Sequence, residues 1–281
     1  MQRNDITYQE KLNELRLDML HPKSRKVNFI LLEGDSDIKL FRKLFNLDKC
    51  KVEKVPGGNV KLEECVADLM SFHFLVIGIR DADFIKIVNP QYAKQNMFLT
   101  DQHDIEMTML HFEKVLNALV FEYSAKPKDE HTTLKNQLIE TILSLSCLKL
   151  LNEQEDLELN FSAGFQDLLS FATLNFDLEQ YITRTIGKSP NATITDSQTL
   201  IQKVNTIRAT NPETSQITNG HDLLSVFAAY FKEIGSSKSV TGEQLATAIR
   251  MVFTKEMFEE TELYAKLNEW QQANGTQLFG Q

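Results

Sequence analysis

Residues 27–37, VNFILLEGDSD, and residues 74–83, FLVIGIRDAD, decide the fold. Each is a short apolar run that stops abruptly in acidic residues. Apolar runs of this length, with no polar alternation, read as strands buried on both faces. The first stops at Glu33-Gly34-Asp35 and the second at Arg80-Asp81-Ala82-Asp83.

Between the two runs lie the parts of a strand–helix alternation. Ile38, Leu40, Phe41, Leu44 and Phe45 share one face of a helix that Asp35 or Ser36 can cap. Lys51–Val55 alternates as a strand, Pro56-Gly57-Gly58-Asn59 is a turn signal, and a helix follows over 60–71. A short strand is expected at 97–99, and DQHDIE, 101–106, leads into one long helix over 105–123. An amphipathic helix over 4–20 precedes the first strand and closes at His21-Pro22. The order predicts an α/β fold, a mostly parallel sheet flanked by helices. Both acidic stretches then fall at the carboxyl edge of the sheet, where such folds build their sites.

Beyond Tyr123 the pattern changes, and Lys126-Pro127-Lys128-Asp129 reads as a boundary. Helices are expected over 132–152, 166–187, 196–209, 222–234, 242–254 and 256–273. Residues 157–165 read as a strand or a loop, and 187–196, 209–220 and 234–239 as loops. Two spans are therefore expected: an α/β core with its N-terminal helix, 1–125, and a mainly helical C-terminal subdomain, 126–281, packed on it.

Composition narrows the class. With 42% hydrophobic residues the chain can build a sizeable core. No apolar run is long enough to span a bilayer, and the first twenty residues lack the pattern of a signal peptide. Three scattered cysteines, Cys50, Cys65 and Cys147, suit neither a disulfide framework nor a zinc site, so a reducing cytoplasm is expected. The net charge of −9 argues against stand-alone binding to a phosphate backbone, which is carried by basic surface. It leaves open a nuclease whose acidic site is inverted in sign by a divalent ion, and a basic or self-associated partner.

The acidic residues supply the chemistry. Glu33, Asp35 and Asp37 follow the first strand, Asp81 and Asp83 the second, and Asp104 and Glu106 open the helix after 101. Carboxylates gathered on one sheet edge repel one another unless cations neutralise them, and Mg²⁺ or Mn²⁺ prefers such hard oxygen ligands. Asp81 and Asp83, two apart on an extended backbone, can face one pocket. Glu33 reads as a metal ligand or a general base. The competing reading is that these acids cap helices and solvate loops; for Asp35 and Asp37 the two readings are balanced, and Glu106 also suits the first turn of a helix.

The strand ending in Glu-Gly-x-x-Asp and the strand ending in Asp-x-Asp resemble the TOPRIM domain of topoisomerases, primases and nucleases of the overcoming-lysogenization-defect class. LLEGDSDIKLFRKLF, VPGGNVKLEE, VIGIRDADF, NMFLTDQHDIEMTML and NGHDLL more narrowly resemble a bacterial TOPRIM-like family of anti-phage effectors found beside ATPases. The likeness covers residues 25–115 well and the helical half thinly. It implies a catalytic set of Glu33, Asp81, Asp83 and Glu106, with Glu33, Asp37, Asp81, Asp83 and Asp104 as ligands of Mg²⁺ or Mn²⁺. Lys61 would meet a phosphate or be a solvated helix lysine. Arg80 would touch substrate or pair with the acids. His103 reads as a proton shuttle or a surface-loop residue, and His221 as structural or part of the site. Phe161, Phe165, Phe171 and Phe176 read as helical core or a base-stacking platform.

The resemblance implies a cytoplasmic metal-dependent nuclease cutting nucleic acid, with tRNA one candidate. It would be the toxic effector of an anti-phage system, restrained by an ATPase subunit and homodimeric when active. Two other readings stand beside it: a TOPRIM-like module without catalysis that docks on an ATPase, and a primase-like nucleotidyl transferase.

Overall fold

The computed structural model describes residues 6–234 and 239–280. In chain order the helices are α1 (Tyr8–Leu20), α2 (Asp35–Leu44), α3 (Gly58–Met70), α4 (Ile85–Val88), α5 (Ile105–His111), α6 (Glu113–Tyr123), α7 (His131–Thr141) and α8 (Leu143–Glu155). They continue as α9 (Leu178–Gly187), α10 (Ser197–Ala209), α11 (Thr214–Ile217), α12 (Gly220–Glu233), α13 (Gly242–Val252), α14 (Lys255–Glu259) and α15 (Glu262–Ala273). The strands are β1 (Asn28–Leu32), β2 (Cys50–Lys54), β3 (Val76–Arg80), β4 (Met97–Leu99), β5 (Leu169–Ser170) and β6 (Asn175–Phe176).

Two compact units divide the chain. The first holds Met1–Asp81, Tyr92–Asp101 and Phe253–Gln281; the second holds Ala82–Gln91 and Gln102–Val252. Both units are discontinuous along the chain, whereas the sequence reads as two continuous spans meeting at 125.

The first unit is an α/β layer structure. Its sheet has the order β2-β1-β3-β4, and every neighbouring pair is parallel. β1 and β3 are central and almost wholly buried, which is why their sequences are continuously apolar. β2 lies at the edge and alternates, with Cys50 and Val52 buried. Phe29, Leu31 and Val76 share a buried cluster with Leu12, Leu15 and Met19 of α1 and Leu62, Cys65, Val66 and Leu69 of α3. By strand alternation Ile30 and Leu32 face the other way. α2 is braced by the returning C-terminal segment: Phe41 meets Phe258 edge-on at 6.1 Å, and Phe45 stacks on Phe279 at 5.2 Å. Hydrogen bonds hold this return: Asn46 N–H donates to Leu278 O, and the Asn28 side-chain Nδ2 donates to Gln277 O. Gly78 lets α3 and β4 close on β3: a Cβ there would lie 2.4 Å from Met97 Sδ and 2.8 Å from Val66 Cγ2.

This strand order creates a switch point. The chain leaves β1 through α2 to reach β2, returns through α3 to β3, and moves on to β4. The connections from β1 and β3 therefore diverge, and the carboxyl ends of strands at such a point are the usual binding place in open α/β sheets.

The second unit is helical, with a two-stranded antiparallel ribbon of β5 and β6. α12 is its central helix, buried nearly all round through Leu223, Leu224, Val226, Phe227, Tyr230 and Phe231. It lies against α13, and α13 against α6.

Several elements differ from the sequence reading. The helix expected over 105–123 breaks at Phe112, whose backbone is extended. Residues 105–110 of α5 are all buried, while α6 buries one stripe, so one straight axis cannot serve both. The helix expected over 132–152 likewise breaks at Ile142. Over 166–187, the β5–β6 ribbon replaces the first half of the expected helix. Leu174 takes a left-handed φ of 50° in its turn, and Asp177 caps α9 through Gln180 N–H. The last helix is interrupted, α15 starting afresh at its cap Thr261. Residues 157–165 form no helix or strand, and α11 lies within the segment read as a loop over 209–220. The start of the first expected helix, residues 4 and 5, and residues 235–238 of the loop at 234–239 lie outside the described residues.

Among the described residues no helix is long and apolar enough to cross a membrane. Cys50, Cys65 and Cys147 are buried free thiols, pushed up by burial to about 12, 12 and 11.

Candidate functional site

In the first unit, the carboxyl edge of the sheet is built around the end of β1. Glu33 is the first residue past the strand and is half-buried. Gly34 then caps α2, and its N–H donates to Asp37 Oδ2 at 3.1 Å. A Cβ on Gly34 would lie 2.7 Å from that oxygen, so the glycine and the aspartate are matched across the turn. Glu-Gly-x-x-Asp is thus a local device that starts a helix directly after a buried strand and leaves Glu33 at its lip. Ser36 Oγ donates to the other oxygen of Asp37 at 3.3 Å, and exposed Asp35 pairs with Lys54 at 2.6 Å.

The turn before α3 passes beside Glu33. Gly57 and Gly58 have φ of 106° and 81°, which side-chain-bearing residues rarely adopt. A Cβ on Gly58 would be 3.8 Å from Glu33 Oε1. Lys61, one turn into α3, pairs with Glu64 at 2.5 Å and lies over the Tyr8 ring at 5.1 Å.

Asp81 follows β3, the strand paired directly with β1. Arg80 beside it is held by the scaffold: its Nη1 donates to Glu63 Oε1 at 2.9 Å, and its Nε to the Asp81 carbonyl at 3.2 Å. Glu63 also accepts from Tyr92 Oη at 2.6 Å and from Lys94. Burial pushes the Glu63 carboxyl up, but the Lys94, Tyr92 and Arg80 donors outweigh it and hold it below the ordinary range. Arg80 is ion-paired with Glu63, which is not one of the strand-end acids named from the sequence. At the end of β4, Asp101 accepts from Glu262 N–H at 2.7 Å and Leu263 N–H at 2.8 Å, seating the start of α15.

The second unit carries Asp83, Asp104 and Glu106. Asp83 has a left-handed φ of 45°, and its N–H donates to His103 O at 2.7 Å. Aspartate tolerates this region better than most residues, yet it remains an uncommon place for one. His103 is buried rather than in a surface loop. Its ring packs edge-on against Phe84 at 4.8 Å, and its Nδ1 lies 3.2 Å from Gln216 O.

Asp104, 2% exposed, caps two helices. One oxygen accepts from Met107 N–H in α5 at 2.8 Å and the other from Gly220 N–H, at the start of α12, at 2.5 Å. Burial pushes its carboxyl up, opposed by His103, the two N–H donors and His221. Glu106 is equally buried. Arg250 Nη1 of α13 stands 3.5 Å from its Oε1, and exposed His221 Nε2 stands 3.8 Å from its Oε2. The NGHD motif, 219–222, is thereby explained. Asn219 caps α12, Gly220 provides the close approach, His221 faces Glu106, and Asp222 pairs with Lys149.

Of the four phenylalanines, Phe165 and Phe176 are buried and cluster with Tyr181. Phe171 meets Tyr230 edge-on, and the Phe161 ring lies under Lys149. Sequence reasoning missed Gly220, Arg250 and Glu63. The Asn-Gly before an apolar helix was a usable signal for the first. Arg250 was detectable only as one cation beside the apolar face of Leu245, Ala246 and Ile249.

Glu33 and Asp81 carry the hard oxygen donors that Mg²⁺ and Mn²⁺ prefer, while both oxygens of Asp37 are engaged by Gly34 N–H and Ser36 Oγ, so the donor chemistry of the first two fits such an ion. Among the described residues no three His, Cys, Asp or Glu side chains are grouped to hold a metal. Mg²⁺ characteristically uses one or two carboxylates, its own waters and substrate phosphates, and does not require a closed protein cage. No protein-family model matches the chain, and no curated protein matches it.

Proposed function

We propose that the chain is a TOPRIM-type, metal-dependent nuclease whose centre is Glu33, Asp81 and Asp83. The observation that carries this reading is the switch point: Glu33 follows β1 and Asp81 follows β3, the two adjacent parallel strands whose connections diverge. Two buried strands ending in acids at that switch point are hard to explain by solubility alone. The left-handed backbone of Asp83 adds weight, because strained residues cluster at functional sites.

Glu33 and Asp81 of the first unit would hold Mg²⁺ or Mn²⁺, and the resemblance adds Asp83 to the set. The bound ion supplies charge stabilisation at the phosphate oxygens. Glu33 serves as a ligand or takes the proton of the attacking nucleophile, and Gly58 beside it places no side chain against Glu33 Oε1, where a Cβ would lie 3.8 Å away. Asp37 is engaged in capping α2 and acts through that cap. A partner ATPase, an active homodimer and tRNA as substrate belong to the same reading and rest on the resemblance.

The test is to incubate the full chain with labelled tRNA, messenger RNA, single-stranded DNA and duplex DNA, with Mg²⁺, Mn²⁺ or chelator. Cleavage of at least one substrate that chelator abolishes is expected. No cleavage of any substrate, with or without an ATPase partner, would favour the non-catalytic docking module instead.

A further inference from the structure

Asp104 and Gly220 meet within the second unit in a contact too tight to be incidental. The Asp104 carboxylate spends one oxygen on the first turn of α5 and the other on the first N–H of α12. Gly220 approaches so closely that a Cβ would lie 2.4 Å from Asp104 Oδ1, 2.6 Å from Glu106 Cβ and 3.0 Å from Met107 N. A carboxylate committed to two helix N-termini, with both oxygens hydrogen-bonded and 2% exposure, offers little to a cation. Its sequence neighbour His103 is fixed as well, its N–H donating to Ser215 O at 3.0 Å. The His103 carbonyl in turn accepts the Asp83 N–H at 2.7 Å and so holds the left-handed backbone there.

We propose that Asp104 and Gly220 are positioning residues for Asp83, and that Asp104 is not a metal ligand. The double cap immobilises the 102–104 turn, and the His103 carbonyl passes that rigidity to the backbone that aims Asp83. For the metal, this rests on the nuclease reading given above; for the backbone, it stands on the hydrogen bonds alone.

The experiment compares wild type, Asp104→Asn, Gly220→Ala and a control, Asp177→Ala, which removes the cap of α9 in the same unit. Amide hydrogen exchange over 82–85 is measured without metal, and Mn²⁺ affinity is measured by titration calorimetry on the full chain. Asp104→Asn and Gly220→Ala should both speed exchange over 82–85 by about tenfold or more, while Asp177→Ala leaves it unchanged. Both should also weaken Mn²⁺ by a similar factor, although Gly220→Ala removes no carboxylate. Unchanged exchange over 82–85 in a folded Asp104→Asn chain would overturn the positioning role. Weakened Mn²⁺ in Asp104→Asn alone would overturn it too and make Asp104 a ligand. If wild type binds no Mn²⁺, the nuclease reading fails, and the exchange data still decide the positioning role. Should Gly220→Ala fail to fold, the exchange and calorimetry of Asp104→Asn against the control decide it.

Discussion

The acids at the carboxyl edge of the sheet and the acids of the helical unit look alike in sequence but occupy different surroundings. Glu33 and Asp81 are half-buried at the ends of adjacent buried strands, and a glycine turn passes beside Glu33. Asp104 and Glu106 are almost wholly enclosed, one by two helix N-termini and the other by Arg250 and His221. The first pair is placed where the connections of two adjacent strands diverge; the second is spent on joining helices. An Asp-x-Glu spacing therefore says little about role until the groups facing each carboxylate are known.

That contrast predicts a graded series of stability effects. Asp104→Ala strands two buried N–H donors and should cost about 3 kcal/mol in urea unfolding. A cost below about 1 kcal/mol would dissolve the distinction between the two sets of acids. Asp101→Ala removes the partially exposed acceptor of the first two N–H groups of α15, leaves the cap Thr261 in place, and should cost only about 1 kcal/mol. Asp83→Gly relieves a left-handed backbone, so its unfolding free energy should stay level or rise by up to about 1 kcal/mol while cleavage is lost. A clear destabilisation would mean that the side chain of Asp83 is structural. The smallest effect concerns pH. The carboxyl of Glu63 is depressed in the folded chain, so its contribution is present above the unfolded value of 4.5 and fades as pH falls through the folded value. Glu63→Gln should accordingly flatten the loss of stability below about pH 4.5, read by thermal unfolding across pH. An identical acid limb in both chains would remove Glu63 as the anchor of Arg80.

The sheet was readable in the sequence because buried parallel strands must be continuously apolar, and β1 and β3 are. The start of α2 was readable to within a residue, but its cap is Gly34 with Asp37 reaching back, not the side chain of Asp35 or Ser36, and α3 starts inside the glycine turn at Gly58 instead of at 60. The breaks at Phe112 and Ile142 were not, because apolar spacing runs on across each and only tertiary packing decides where the axis turns. Nor was the return of the C-terminus to the sheet, which rests on contacts such as Asn28 with Gln277, far apart in sequence. Among the candidate residues, the strand-end acids could be picked out by position alone. The joint of Asp104 with Gly220, and the pairing of Glu106 with Arg250, depend on helices that meet only in the folded chain.

The most direct measurement is divalent-dependent cleavage by Glu33→Gln against wild type, with unfolding midpoints taken on the same preparations. Replacing one carboxylate oxygen at the lip of β1 should lower cleavage by about 100-fold or more and leave the midpoint within about 2 °C. Cleavage at the wild-type rate by the folded Glu33→Gln chain would contradict the assignment of the sheet edge as the site.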